Sequence, residues 1–229
     1  MHSDPIFLFD IDGTLMRGAG LEHRSALVEA IRRYSGHLTT VDGIPVHGML
    51  DRDILAEMMR RAGCDQETID SSLAPVMSLA QEIYPGTCPD LRSKLLPGVV
   101  ETLASLAENG HRLGLVTGNL TSIGWTKVRR AGIGHHFSFG AFADMGRTRT
   151  ELARLAWQMT GGSDPQSVTL IGDSPSDVQA AKANGFRMVA VATGLTPRSN
   201  LEALGADLVL NDLSTIDART QLRGRTDAK

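Results

Sequence analysis

The first apolar run of the chain, Ile6-Phe7-Leu8-Phe9, has no polar alternation and breaks into Asp10-Ile11-Asp12-Gly13-Thr14. A strand buried on both faces of a parallel sheet needs such an unbroken run, and the polar break marks its carboxyl end. Further runs with strand character are Arg112 to Val116, Phe137 to Ala141, Ser167 to Ile171, Arg187 to Ala192 and Asp207 to Leu210. Stretches of helix length separate them. One is Val99, Val100, Leu103, Leu106 and Ala107, opened by Pro97 and stopped by Asn109-Gly110. This alternation predicts an α/β fold, a doubly wound parallel sheet with helices on both faces.

Residues 16–95 break the alternation. Their apolar positions recur at helical spacing (Ala26, Leu27, Ala30, Ile31; Ile54, Leu55, Met58, Met59; Leu73, Val76, Met77), with few strand candidates. The expected organisation is a core domain from 1–15 and 96–216, with a helical cap domain, 16–95, inserted between the first two strands. In open α/β sheets ligands bind beyond the carboxyl ends of the strands, so an insertion leaving from there lies over the crevice as a lid. Met16, Arg17 and Gly20 fall in its hinge. The stretch 217–229, rich in Arg, Thr, Asp and Gly without apolar periodicity, is expected to be disordered.

Composition narrows the class. A length of 229 residues suits one α/β core with a smaller lobe, and 41% hydrophobic with 21% charged residues is ordinary globular usage. A net charge of −3 gives no broad electropositive surface, so no nucleic-acid partner is expected. There is no apolar run of about 18 residues and the start is too polar for a signal peptide, so no membrane association is expected. Cys64 and Cys88 lack a Cys-x-x-Cys spacing, which fits reduced thiols in a cytoplasmic protein. A monomer or a homodimer is expected, with no feature of the sequence favouring either.

Four loops at the carboxyl ends of strands carry the candidate chemistry: Asp10 and Asp12; Thr117-Gly118-Asn119; Arg147 and Arg149; Asp173 and Asp177. A turn at Asp12-Gly13 can bring both first-loop carboxylates toward one ligand, one to attack and the other to move protons. Like charges facing a phosphate dianion need a cation, and hard oxygen ligands suit Mg²⁺. Thr117 offers a hydroxyl, and Gly118 and Asn119 offer backbone N–H groups, to a phosphoryl oxygen.

Asp-x-Asp-Gly-Thr after an apolar strand, Thr117, and Gly172-Asp173 with Asp177 resemble motifs of the haloacid dehalogenase superfamily, and the helical insertion resembles the subgroup that includes phosphoglycolate phosphatases. The resemblance implies Asp10 as nucleophile, Asp12 as acid/base, and Asp10, Asp173 and the backbone carbonyl of Asp12 as Mg²⁺ ligands supported by Asp177. It implies Thr117 as the phosphate-binding hydroxyl. The family's third motif has a lysine, whereas Asp144 to Leu152 contains none. Arg149, whose guanidinium can span nucleophile and phosphate, is the expected replacement, with Arg147 the fallback.

His47 to Arg52 resembles the cap segment that faces the active site. Arg52 is expected to receive a second anionic group of the substrate, and Asp51 to cap the helix that follows. Ser174 is expected to cap the helix that begins at Pro175. His23, His37, His111, His135 and His136 have no zinc-site spacing and are expected to be structural or solvated. The function implied is a Mg²⁺-dependent phosphatase that hydrolyses a small-molecule phosphomonoester, phosphoglycolate-like or a sugar phosphate, through an aspartyl-phosphate. The alternatives are a phosphosugar mutase of the same superfamily and a phosphate-binding regulatory protein without catalysis.

Overall fold

A computed structural model describes residues 5–162 and 164–215. The expectation for 217–229 therefore lies outside the described residues. Strands β1 (Ile6–Phe9), β2 (Arg112–Val116), β3 (Phe139–Ala141), β4 (Val168–Gly172), β5 (Arg187–Val191) and β6 (Leu208–Leu210) form one sheet in the order β3-β2-β1-β4-β5-β6. Every pairing is parallel. All four residues of β1 are buried, because β1 is central and both of its edges are hydrogen-bonded.

Helices α1 (Leu21–Ser35), α2 (Asp51–Arg61) and α3 (Gln66–Thr87) lie between β1 and β2 in the chain and pack on one another as a helical cap. Helices α4 (Val99–Glu108), α5 (Thr121–Arg130), α6 (Arg149–Gln158), α7 (Pro175–Asn184) and α8 (Arg198–Ala203) accompany the sheet: α6 packs on β2 and β3, and α7 on β4 and β5. The order of strand addition reverses beside β1, so the ends of β1 and β4 border the crevice. The two chain crossings into the cap run side by side, with Arg17 N–H donating to Lys94 C=O at 2.9 Å and Leu96 N–H to Leu15 C=O at 3.1 Å.

Three strands are shorter than the apolar runs suggest, the fifth by only its last residue, ending at Val191. The third starts at Phe139, because Gly134–His136 forms a turn of 3₁₀ helix and pairing with β2 begins at Gly114 opposite Phe139. The last omits Asp207, whose carboxylate accepts the Met188 N–H at 2.8 Å. Cys64 and Cys88 are free thiols. No helix of the described residues is long and apolar enough to cross a membrane.

Candidate active site

The strand ends place the acidic residues together. Asp10 follows β1, Asp173 follows β4, and Asp177 stands in the first turn of α7. One carboxylate oxygen from each of the three lies within 4.8 Å of the others. Ser174 and Asp177 form a capping box: Ser174 Oγ donates to Asp177 Oδ2 at 2.6 Å and Ser174 N–H reaches the same oxygen at 3.1 Å. The box leaves Asp177 Oδ1 facing the cluster. Backbone closes around Asp173 so tightly that a Cβ on Gly194 would lie 1.6 Å from Asp173 Oδ2, and one on Gly13 2.3 Å from the same atom.

Burial and mutual repulsion push the Asp10 and Asp173 carboxyls up. For Asp10, desolvation raises the pKa to about 6 against the pull of Arg149. For Asp173, desolvation and the charges of Asp10 and Asp177 raise it to about 9. Asp173 Oδ2 and Asp177 Oδ1 are buried and find no hydrogen-bond partner among the described residues. Buried carboxylate oxygens crowded without donors are disfavoured unless something positive meets them. An all-oxygen donor set fits a hard divalent cation.

Arg149 occupies the place expected for a bridging cation. The helix begins at this residue instead of just after it, because Thr148 is the cap and accepts the Glu151 N–H. Arg149 Nη1 donates to Asp10 Oδ1 at 2.9 Å and to Val116 C=O at 2.8 Å, and Nε lies 3.6 Å from Asp177 Oδ1. The neighbouring carboxylates raise its pKa although burial opposes them. Arg147, by contrast, is exposed, its N–H bonded to Glu151, and it does not line the cavity.

Asp12 turns to different partners. Its Oδ2 accepts from Lys127 Nζ at 2.6 Å and from Asn119 Nδ2 at 2.8 Å. Burial would raise its pKa, but Lys127, His23 and Asn119 together outweigh burial and hold it below the usual carboxylate range. Lys127 is fully buried, and its remaining bonds run to Asn119 Oδ1 at 2.7 Å and His23 Nδ1 at 3.2 Å. With Nδ1 accepting, His23 Nε2 is left to donate to Asp51 Oδ2 at 2.9 Å, an oxygen that also accepts the Leu120 N–H. Thr117 Oγ1 accepts from Asn119 Nδ2 at 2.7 Å, which ties the two side chains beside Asp12.

The cap docks through backbone. Asp51 N–H donates to Gly118 C=O at 2.7 Å, and a Cβ on Gly118 would lie 2.2 Å from Met49 O, so only glycine admits this approach. Asp51 therefore does not cap α2 as expected: Leu50 is the cap residue, and the Asp51 carboxylate joins α1 to the loop before α5. Arg52, the next residue, points about 100° further round the helix. It bonds Gly146 C=O at 3.4 Å and pairs with Asp53, outside the cavity lining. Among residues not selected from the sequence, Lys127 lies at an apolar-periodic helix position, and His23 has no spacing partner. Only the fold brings them to Asp12.

A cavity of about 590 Å³ opens between cap and core and is lined by Asp10, Asp12, Thr117, Gly118, Asn119, Arg149 and Asp173 on the core side. A family model described as haloacid dehalogenase-like hydrolase matches residues 5–185. A phosphoglycolate phosphatase of Mesorhizobium japonicum is 29% identical over 209 residues, covering 86% of each chain. Among solved structures, CbbY from Rhodobacter sphaeroides in complex with phosphate superposes with a TM-score of 0.72 at 22% identity, covering 94% of this chain and 97% of that one. A β-phosphoglucomutase from Clostridium difficile superposes with a TM-score of 0.70 at 16% identity, covering 93% of both chains. At these identities the two structures speak to the fold.

Proposed function

We propose, from the premise that this chain belongs to the haloacid dehalogenase-like hydrolase family, that it is a Mg²⁺-dependent phosphatase working through an aspartyl-phosphate on Asp10. The observation that carries this reading is the buried Asp10, Asp173 and Asp177 cluster, with Arg149 on Asp10 at 2.9 Å, where Asp10, Asp173 and Arg149 line an open cavity between cap and core. Phosphoglycolate phosphatases among its sequence relatives support phosphomonoester hydrolysis as the reaction class.

In this mechanism Asp12, ionised in the free protein, takes up the proton of the monoanionic substrate. An Asp10 carboxylate oxygen then attacks phosphorus and the ester oxygen leaves with that proton from Asp12. Water then attacks the aspartyl-phosphate, Asp12 accepts its proton, and phosphate departs with Asp10 regenerated. Arg149 keeps Asp10 in place and neutralises charge on the phosphoryl oxygens. Thr117, with the backbone N–H groups of Gly118 and Asn119, holds a further phosphoryl oxygen. Asp10, Asp173 and the Asp12 carbonyl, supported by Asp177, would hold Mg²⁺, which supplies electrostatic stabilisation of the transferring group.

Arg149→Ala is expected to lower kcat/KM by about 10²-fold, as loss of one charge-stabilising donor does elsewhere. Exposed Arg147→Ala should stay within about twofold of wild type. Equal losses in both variants would take the role from Arg149.

The raised carboxyls predict a pH signature. Asp10 and Asp173 bind protons more tightly folded than unfolded, so their contribution to stability is complete below about pH 4. It is lost as pH rises through about 6 for Asp10 and about 9 for Asp173. Mg²⁺ binds the ionised forms, so the rise in Tm on adding it to chelator-treated protein should be larger at pH 9 than at pH 6. Thermal melts at both values test this, and a shift that shrinks with pH would remove the three carboxylates as the metal site.

A further inference from the structure

The cavity is larger and less polar than a phosphorylated two-carbon acid needs. Its volume of about 590 Å³ falls in the range that encloses drug-sized molecules. Beyond the phosphate-facing end, the wall is made by Leu27, Val41, Val46 and Ile54 of the cap. At the mouth, Leu21 of the cap and Leu195 of the core loop after β5 line the same space and are 73% and 79% exposed. A single exposed leucine means little, but two lining one cavity from opposite lobes form apolar surface that a bound body would cover.

Several polar side chains on this wall already have protein partners. His23 is held by Asp51 and Lys127, His47 bonds Thr196 Oγ1 at 2.9 Å, and Arg17 donates to Thr193 C=O. Asp51 accepts from His23 and from the Leu120 N–H. Arg24, also in the lining, forms no ion pair among the described residues. A sugar brings several hydroxyls, and each one buried without a partner costs binding. An apolar body meets no such penalty.

We propose that the leaving group of the substrate is a mid-sized, mainly apolar alcohol, seated against Leu21, Val46, Ile54 and Leu195, with Arg24 of the same lining able to pair one anionic substituent. This inference rests on the phosphatase reading and deepens it. The chemistry is unchanged: the P–O bond to the apolar alcohol breaks and the alcohol departs with the proton from Asp12. What changes is which esters gain binding that carries into the transition state.

The test measures kcat/KM with Mg²⁺ for benzyl phosphate and butyl phosphate against glycerol phosphate and phosphoglycolate. These leaving alcohols have similar basicity, so leaving-group chemistry does not decide the order. The apolar esters are expected to lead by about tenfold or more, since even a single methylene in an apolar pocket can give that discrimination. The Leu21→Asn/Leu195→Asn double variant, changed only at exposed positions, should narrow the ratio. Hydrolysis that favours glycerol phosphate or phosphoglycolate overturns the inference and leaves the phosphatase reading intact. If no ester is hydrolysed, the phosphatase reading falls, and binding of benzylphosphonate against methylphosphonate decides the cavity: tighter binding of the benzyl compound supports an apolar ligand, and equal binding overturns it.

Discussion

Replacing Asp10 by Asn is expected to cut phosphate release by about 10³-fold or more while leaving the protein folded, because the amide keeps the shape of the side chain but is a poor nucleophile. The stability half of this prediction has a definite sign. The surroundings of Asp10 disfavour its ionised form, as its pKa near 6 records, despite the Arg149 contact. A neutral side chain there relieves repulsion with Asp173 and Asp177. In chelator at pH 8 the Asn variant should therefore melt at or above wild type, since its amide Oδ1 still accepts from Arg149 Nη1. Phosphate-release assays and thermal melts on the same preparations check both halves. Turnover within tenfold of wild type would refute covalent catalysis by Asp10, and a large fall in Tm would make the activity loss uninformative about chemistry.

The parts of this site that were legible in the sequence are those fixed by short-range pattern. An unbroken apolar run ending in Asp10-x-Asp12-Gly13 placed both acids at a strand end, and a Ser174-Pro175 start placed Asp177 in the first turn of a helix, where its backbone partners are local. Arg149 could be picked over Arg147 because helix entry turns one residue inward and leaves the other in the loop. The failures are contacts between elements distant in sequence. Asp51 looked like a helix cap because acids at helix starts usually are, yet its partners are His23 and the Leu120 N–H. Lys127 shares α5 with buried Ile123 and Val128, and a lone lysine at such a position reads as a side chain that bends out to solvent. Whether it does so depends on what the cap places over it, which periodicity does not report.

That lysine carries the second large expected effect. Its ammonium has three acceptors, Asp12 Oδ2, Asn119 Oδ1 and His23 Nδ1, so all three protons are used and the cost of burying the charge is offset. One of these bonds fixes the carboxylate assigned to proton transfer, while His23 and Asp51 belong to α1 and α2 of the cap. Lys127→Met fills similar volume without the charge. It frees Asp12, whose side chain is 42% exposed and can take water instead. It also removes the donor from Asn119 Oδ1 and His23 Nδ1 on buried residues, so stability should fall by about 1–3 kcal/mol for each of those two acceptors. Catalysis should suffer too, with kcat falling about 10²-fold while KM moves little, since positioned acid/base groups contribute about 10²- to 10⁴-fold. A double-mutant cycle separates orientation of Asp12 from general damage. If Lys127 works through Asp12, adding Lys127→Met to Asp12→Asn costs almost nothing further, because the group it positions is already gone. Losses that multiply in the double variant would show that Lys127 contributes by a separate route, and an unchanged kcat in Lys127→Met would make its contact with Asp12 structural alone.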